Sequence, residues 1–62
     1  MKIQKIDHTK NTTTIIDSPF TIRQFLTINF AGWGFYSIVK NGNSYNIIDK
    51  FTGELIYSIK KC

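Results

Sequence analysis

The sequence predicts a small α+β domain, with an N-terminal β-hairpin, one short helix over about residues 19–28 and a three-stranded antiparallel meander. Two observations predict it. The 62 residues include 11 Ile, 7 Thr and 9 aromatics, but only two Leu, one Ala and one Glu, and β-branched and aromatic residues favour strands over helices. Turn signals also divide the C-terminal half into three runs of strand-like sequence. The predicted strands of the meander cover about 35–40, 44–50 and 54–60.

The N-terminal hairpin is predicted from two short runs on either side of a polar segment. Residues 2–6 alternate polar and apolar side chains, and residues 12–16 are rich in Thr and Ile. The segment between them, residues 7–11, has the composition of a turn. We therefore expect two antiparallel strands joined by this turn.

The helix is predicted from the pair Ser18-Pro19. Ser is a preferred N-cap, and Pro suits the first helical position because its missing N–H would have no partner there. Residues 22–30 also alternate almost as a strand would, which leaves an all-β small barrel as the alternative fold. The cap favours the helix.

The meander is predicted from its turns and from the faces that they align. Asn41-Gly42 is a common hairpin turn, and residues 51–53 fit a three-residue loop with Gly53 in the left-handed conformation. With these loops, one set of apolar and aromatic side chains shares a single face, which is the expected core. The seven residues of that face are Tyr36, Ile38, Tyr45, Ile47, Leu55, Tyr57 and Ile59.

The opposite face of the meander is predicted to be half apolar. It is too apolar for bare solvent and too polar for a deep core, so we expect the N-terminal hairpin, a second copy of the chain or a partner to cover part of it. Its residues are Phe35, Ser37, Val39, Asn46, Ile48, Ile56, Ser58 and Lys60.

The size and the small number of reactive groups argue against an enzyme. A chain of 62 residues forms one domain, here residues 1–62, and is expected to be too small to enclose a cofactor. The only histidine, His8, lies in a predicted exposed turn, and the only cysteine is Cys62. Nucleophilic catalysis and metal binding both need more such groups at suitable spacing. We expect no catalytic residue, no metal site and no cofactor.

The cysteine content and hydropathy pattern predict a cytoplasmic protein. A single cysteine, Cys62, forms no internal disulfide, whereas small secreted domains usually contain several. No apolar run approaches the ~18–20 residues that span a membrane. The abundance of Ile, Lys and Asn is typical of AT-rich coding, as in a low-GC bacterium or its phages.

The charge of +4 raises the possibility of nucleic-acid binding. Small sheets with surface aromatics stack bases while basic side chains hold phosphates. The basic residues are scattered along the sequence, so this function is the alternative rather than the main hypothesis. Its candidate residues are Lys40, Lys50, Lys60 and Lys61, with Arg23.

The main hypothesis is a non-enzymatic interaction protein that binds a host macromolecule and inhibits or modulates it by occlusion. Trp33, between two glycines, is the strongest single candidate, because Trp is enriched at binding hot spots. A homodimer formed through unprotected strand edges is a third possibility. The predicted partner-binding residues are Trp33, Phe35, Arg23, Ile48 and Ile56.

In size and composition the chain resembles small phage or mobile-element proteins that inhibit host defence systems, anti-CRISPR proteins among them. This resemblance implies a bacterial host protein, or a protein–nucleic acid complex, as the partner. The positive charge argues against DNA mimicry, which requires an acidic surface. No motif carries the resemblance, so it names no family.

Overall fold

A computed structural model describes residues 1–31 and 34–62 of the chain. Five strands form one antiparallel sheet in the order β2-β1-β5-β4-β3, and one short helix packs on it. The sheet is open, with β2 and β3 as its edges, so the α+β prediction is confirmed and the barrel alternative is wrong. The elements are β1 (Lys2–Asp7), β2 (Thr12–Asp17), α1 (Ile22–Leu26), a π-helical turn (Thr27–Ala31), β3 (Tyr36–Asn41), β4 (Ser44–Asp49) and β5 (Leu55–Lys61).

The N-terminal hairpin forms as predicted but extends the sheet instead of covering it. Ile3 pairs with Ile16 on β2 and with Lys61 on β5, so β1 lies between these two strands. In this position the backbone groups of β1 form ladder hydrogen bonds on both sides, as buried backbone groups require. The N-terminal hairpin was one of three expected covers for the half-apolar face of the meander, and it does not cover that face.

The helix begins later than the sequence predicted. Thr21 is the N-cap: its side chain accepts a hydrogen bond from the backbone N–H of Gln24, and the Gln24 side chain accepts one from the backbone N–H of Thr21. This reciprocal capping box satisfies two N–H groups at once. Ser18, the predicted cap, accepts from the Phe20 N–H in the preceding turn, and its own N–H donates to the Met1 carbonyl. The predicted start at residue 19 is therefore wrong by three residues.

A π-helical turn continues α1 and completes its apolar side. The Asn29 side chain donates to the Phe25 carbonyl at 2.8 Å, and the Thr27 hydroxyl donates to the Arg23 carbonyl at 2.9 Å. The Arg23 carbonyl also accepts the Thr27 backbone N–H, so the Thr27 hydroxyl is a second donor to it. Phe30, in the π-helical turn, is buried, as is Phe25 in α1.

The β3–β4 hairpin confirms the predicted strands and moves the turn by one residue. Asn41 pairs with Ser44, so Gly42 and Asn43 form the two-residue loop. Gly42 has φ of 62°, as the first central residue of a type II′ turn requires. The predicted corner Asn41-Gly42 therefore lies one residue too early.

The β4–β5 connection confirms Gly53 in the left-handed region, with φ of 76°. Asp49 holds this turn, since its carboxylate accepts from the Phe51 and Thr52 N–H groups at 2.8 and 3.1 Å. A register shift follows, so that Leu55 pairs with Ile48 and not with Asp49. Leu55 is 38% exposed, and its predicted place in the core is wrong because the bulge moves it out of the core-facing row.

The core lies between one face of the sheet and the side chains of α1 and the π-helical turn. The Phe30 ring packs edge-on against Tyr36, with centroids 5.6 Å apart, and lies 5.5 Å from the Tyr57 ring. Six of the seven predicted core residues either are buried or pack against this cluster. The buried apolar residues are Ile3, Phe25, Leu26, Phe30, Ile47 and Ile59.

Candidate functional site

The face of the sheet opposite α1 has no covering element among the described residues, and we call it the open face. Five strands about 4.8 Å apart, with six residues rising about 3.3 Å each, make a face of roughly 500 Å². A stable interface buries about 800 Å² on each partner, so the open face would form the greater part of one. Strand alternation and register assign to it Lys2, Gln4, Ile6, Thr13, Ile15, Asp17, Ser37, Val39, Asn41, Ser44, Asn46, Ile48, Ile56, Ser58 and Lys60.

Hydrogen-bonded polar side chains cross the middle of the open face. The Nε2 atom of His8 lies 2.7 Å from Oγ of Ser58, and that hydroxyl donates to Oδ1 of Asn46 at 3.4 Å. Which group donates in the shorter contact depends on the tautomer of the His8 ring. The three side chains thus form one hydrogen-bonded line across the face.

Apolar side chains lie on both sides of this polar line. Ile15 on β2 is 54% exposed, and Val39 on β3 is 46% exposed. Ile6, Ile48 and Ile56 are half-buried between them. Apolar groups thus flank a line of hydrogen-bonding groups, a combination that suits protein interfaces, where apolar contact supplies affinity and polar groups fix orientation.

Two phenylalanines extend the apolar surface at one end of the sheet. The rings of Phe35 and Phe51 lie 6.4 Å apart, and the side chains are 53% and 77% exposed. The Lys50 N–H donates to the Phe35 carbonyl at 2.9 Å, which joins the β4–β5 turn to the start of β3. Phe51 was not among the predicted site residues, since the sequence placed it only in a turn.

The structure brings some of the predicted partner-binding residues together and separates another. Ile48 and Ile56 lie on the open face, and Phe35 directly precedes β3 at the end of the sheet. Arg23 lies on the exposed side of α1, in a shallow groove that includes Phe20 and Ile28. Arg23 therefore belongs to the opposite side of the molecule. Trp33 lies outside the described residues, and its role remains a prediction from the sequence.

The lysines are scattered in the sequence, but the structure brings some of them together. Four of them lie at the end of the sheet that carries the β3–β4 turn, which we call the basic end, whereas Lys50 lies at the other end near Asp49 and Glu54. Among the described residues the only carboxylate side chain at the basic end is that of Asp17, 3.9 Å from the Met1 amino group. Positive charge is thus concentrated at one end of the sheet, an arrangement that was not evident from the order of the lysines in the sequence. The basic-end residues are Lys2, Lys40, Lys60 and Lys61.

On the covered face, Asp7 and Tyr57 lie opposite each other on β1 and β5, and both have shifted pKa values. The hydroxyl of Thr9 donates to the Asp7 carboxylate at 2.7 Å and lowers its pKa, aided by the N–H groups of Thr9 and Lys10. Burial raises the pKa of Tyr57, and the Asp7 charge adds to the rise. The ammonium of Lys5 lies 5.2 Å from the Tyr57 ring centroid, within cation–π range. These contacts hold the first hairpin against β5.

Within residues 1–31 and 34–62, no group of three or more His, Cys, Asp or Glu side chains is close enough to hold a metal ion. No helix in the same residues has the length and apolar character needed to cross a membrane.

No family model, curated protein or solved structure matches the chain. The fold and the surface therefore define only a class of protein, a small α+β domain with one covered and one open sheet face.

Proposed function

We propose that this protein is a non-enzymatic interaction module that binds another protein through the open face and acts by occluding it. The observation that carries the proposal is the contrast between the two sides of the sheet. α1 and the π-helical turn cover one side, while the other exposes Ile15 and Val39, by 54% and 46%, beside the half-buried Ile6, Ile48 and Ile56. Exposed apolar groups gathered on one flat surface are typical of an interaction site.

The energies indicate which groups such an interface would need. Burying the exposed half of each of these side chains contributes on the order of 1 kcal/mol. Association itself costs about 4 kcal/mol or more, so the aliphatic groups alone give weak binding. Phe35 and Phe51, at the end of the face, are large apolar groups that would add the missing energy. The predicted anchor Trp33 would serve the same purpose, and His8, Ser58 and Asn46 would fix the orientation.

The proposed setting is the cytoplasm of a bacterial host, with a host defence protein or protein–nucleic acid complex as the target. The AT-rich composition and the single cysteine support this setting. Inhibition by occlusion needs only a surface, which a chain of this size provides. A homodimer would use the same open face or the strand edges, and light scattering over a range of concentrations distinguishes it from a monomer that binds a foreign partner.

The experiment compares two variants that introduce the same charge on opposite sides of the molecule. Val39→Glu places a carboxylate on the open face, and Ile28→Glu, at a side chain that is 57% exposed, places one near α1. Tagged wild type is used to capture a partner from a low-GC bacterial lysate, and the purified partner is then titrated against all three proteins. We expect Val39→Glu to weaken binding at least tenfold and Ile28→Glu to change it less than twofold. Equal losses, or a loss with Ile28→Glu alone, contradict the proposal.

Nucleic-acid binding is the second candidate, and the basic end supports it. Four lysines at one end of the sheet, two on each face, form a positive surface suited to phosphates. Contacts with four phosphates of a single strand would give a slope of log affinity against log salt of roughly −3. Titration of a labelled oligonucleotide from ~50 mM salt upward measures that slope. The absence of binding at the lowest salt excludes this function and leaves the open-face proposal intact.

A further inference from the structure

A pocket lies at the basic end, on the side of the sheet that carries α1. Its volume is about 380 Å³, and it is open to solvent. A chain of this length was expected to be too short to form a pocket of ~300 Å³ or more, and this pocket exceeds that volume. The β3–β4 turn, the end of β5 and α1 together form its walls, which a sheet alone would lack. The side chains that line it include Ile22, Lys40, Asn43, Tyr45, Lys61 and Cys62.

Two lysines make the pocket positive. Lys40 and Lys61 both line it, and neither lies within salt-bridge distance of a carboxylate in the described part of the chain. Two ammonium groups beside the single terminal carboxylate of Cys62 leave the lining with an excess of positive charge. The pocket therefore favours an anionic ligand, such as a phosphate monoester. The other two lysines of the basic end, Lys2 and Lys60, lie on the open face and do not line the pocket.

The remaining lining indicates that the ligand is more than a phosphate ion. Tyr45 and Ile22 provide an aromatic and an aliphatic wall, and Asn43 provides an amide that both donates and accepts hydrogen bonds. Small-molecule sites have volumes of about 300–1,000 Å³, which a single phosphate group does not fill. A planar ring joined to a phosphate matches the size, the charge and the mixed lining.

We propose that this pocket binds a nucleoside phosphate. The phosphate lies between Lys40 and Lys61, the base lies against Tyr45 and Ile22, and Asn43 bonds to the polar edge of the ligand. The proposal is independent of partner binding at the open face, because the pocket lies on the other side of the sheet. The nucleotide is either free or the end of a nucleic-acid strand, in which case the inference also deepens the second candidate function.

The test is a titration of the ¹⁵N-labelled full chain with AMP, monitored through backbone amide shifts. We expect saturable shifts at Gly42, Asn43 and Lys61, with affinity at least tenfold higher than for adenosine or inorganic phosphate alone. Lys40→Gln with Lys61→Gln should lower AMP affinity at least tenfold. Lys2→Gln with Lys60→Gln removes the same charge from the open face and should change it less than twofold. Equal losses in the two double variants, or no shifts at 10 mM AMP, overturn the proposal.

Cys62 provides an independent readout, since it lines the pocket, is exposed and is the only cysteine in the chain. Bound AMP should slow alkylation of its thiol severalfold in the wild type and not in the Lys40, Lys61 double variant. A 5′-phosphorylated oligonucleotide that competes with AMP identifies strand ends as the natural source, and failure to compete identifies free nucleotides. An oligonucleotide that binds without any AMP binding overturns the pocket proposal and leaves nucleic-acid binding standing.

Discussion

The Nε2 atom of His8 lies 2.7 Å from Oγ of Ser58, fifty positions along the chain. The contact joins the turn of the first hairpin to the last strand and forms part of the open face. It depends on the pairing of β1 with β5, in which Ile6 lies opposite Ser58. The hydrogen bond therefore reports on a long-range contact and on the candidate site together.

Ser58→Ala should lower the free energy of unfolding by about 0.5–1.5 kcal/mol, since the change removes one hydroxyl that bonds to two side chains. Ser37→Ala is the control on the same face, at a serine for which the described structure shows no side-chain hydrogen bond. Urea unfolding measures both variants. A double-mutant cycle with His8→Ala should show coupling between positions 8 and 58. If the losses of the two single variants add up to the loss of the double variant, the interaction between His8 and Ser58 contributes nothing to stability.

Stability should fall in acid because of Asp7. Hydrogen bonds from the Thr9 hydroxyl and from two backbone N–H groups lower the pKa of this carboxyl below 3.8 in the folded state. The stabilisation is present above the unfolded pKa and is lost as pH falls through the folded pKa. Urea midpoints measured from pH 6 to pH 2 should decrease for the wild type and change less for Asp7→Asn. If the urea midpoints of the two proteins decrease in parallel with pH, Asp7 is not the cause of the loss of stability in acid.

Ile47→Ala should remove a large part of the stability of the protein. Ile47 is fully buried at the centre of the core, and truncation of such a side chain costs about 2–5 kcal/mol. Small domains have little stability in reserve, about 5 kcal/mol at the lower end of the usual range. Val39→Ala, at a position 46% exposed on the open face, should cost less than about 1 kcal/mol. Circular dichroism during thermal unfolding compares them, and equal losses would contradict the assignment of the core to the α1 side.

Thr21→Ala should cost about 0.5–2 kcal/mol, because it removes the N-cap of α1. The Thr21 side chain accepts from the Gln24 N–H at 3.2 Å, and Ser at the same position supplies an equivalent oxygen. Thr21→Ser should therefore stay within a few tenths of a kcal/mol of the wild type. Chemical unfolding of both variants tests the cap. A loss in Thr21→Ala no greater than in Thr21→Ser would refute it.

Gly53→Ala should destabilise the β4–β5 turn by about 1 kcal/mol, because a Cβ atom is unfavourable in the left-handed region. Gly53 has φ of 76° and no atom within 4 Å of a Cβ built on it, so the cost is conformational rather than steric. Asn11→Gly is the control, since Asn11 also has a positive φ, of 54°, that glycine adopts freely. We expect unchanged or increased stability there, and a loss at Asn11 equal to that at Gly53 would contradict the turn geometry.

Local signals in the sequence were sufficient for the hairpins and for the part of the core that the meander supplies. The buried residues Ile3, Phe25, Leu26 and Phe30 lay outside the predicted core face. Gly53 and the alternation around Ile47 placed strands and faces correctly, because turn conformation and side-chain alternation depend on neighbouring residues. The capping box from Thr21 to Gln24 is also present in the sequence as a Thr-x-x-Gln pattern. The helix was instead predicted from the pair Ser18-Pro19, which put its start three residues too early. No comparable pattern in the sequence predicts the bulge that exposes Leu55.

The sequence by itself determined an α+β domain with a meander, one apolar core face and a second, half-apolar face. Only the tertiary structure decided that β1 pairs with β5, which leaves that second face open, brings His8 to Ser58 and gathers Lys40 and Lys61 around one pocket. The physical reason is that turns and alternation depend on adjacent residues. Pairing between distant strands depends instead on the loop-closure entropy and packing of the whole chain.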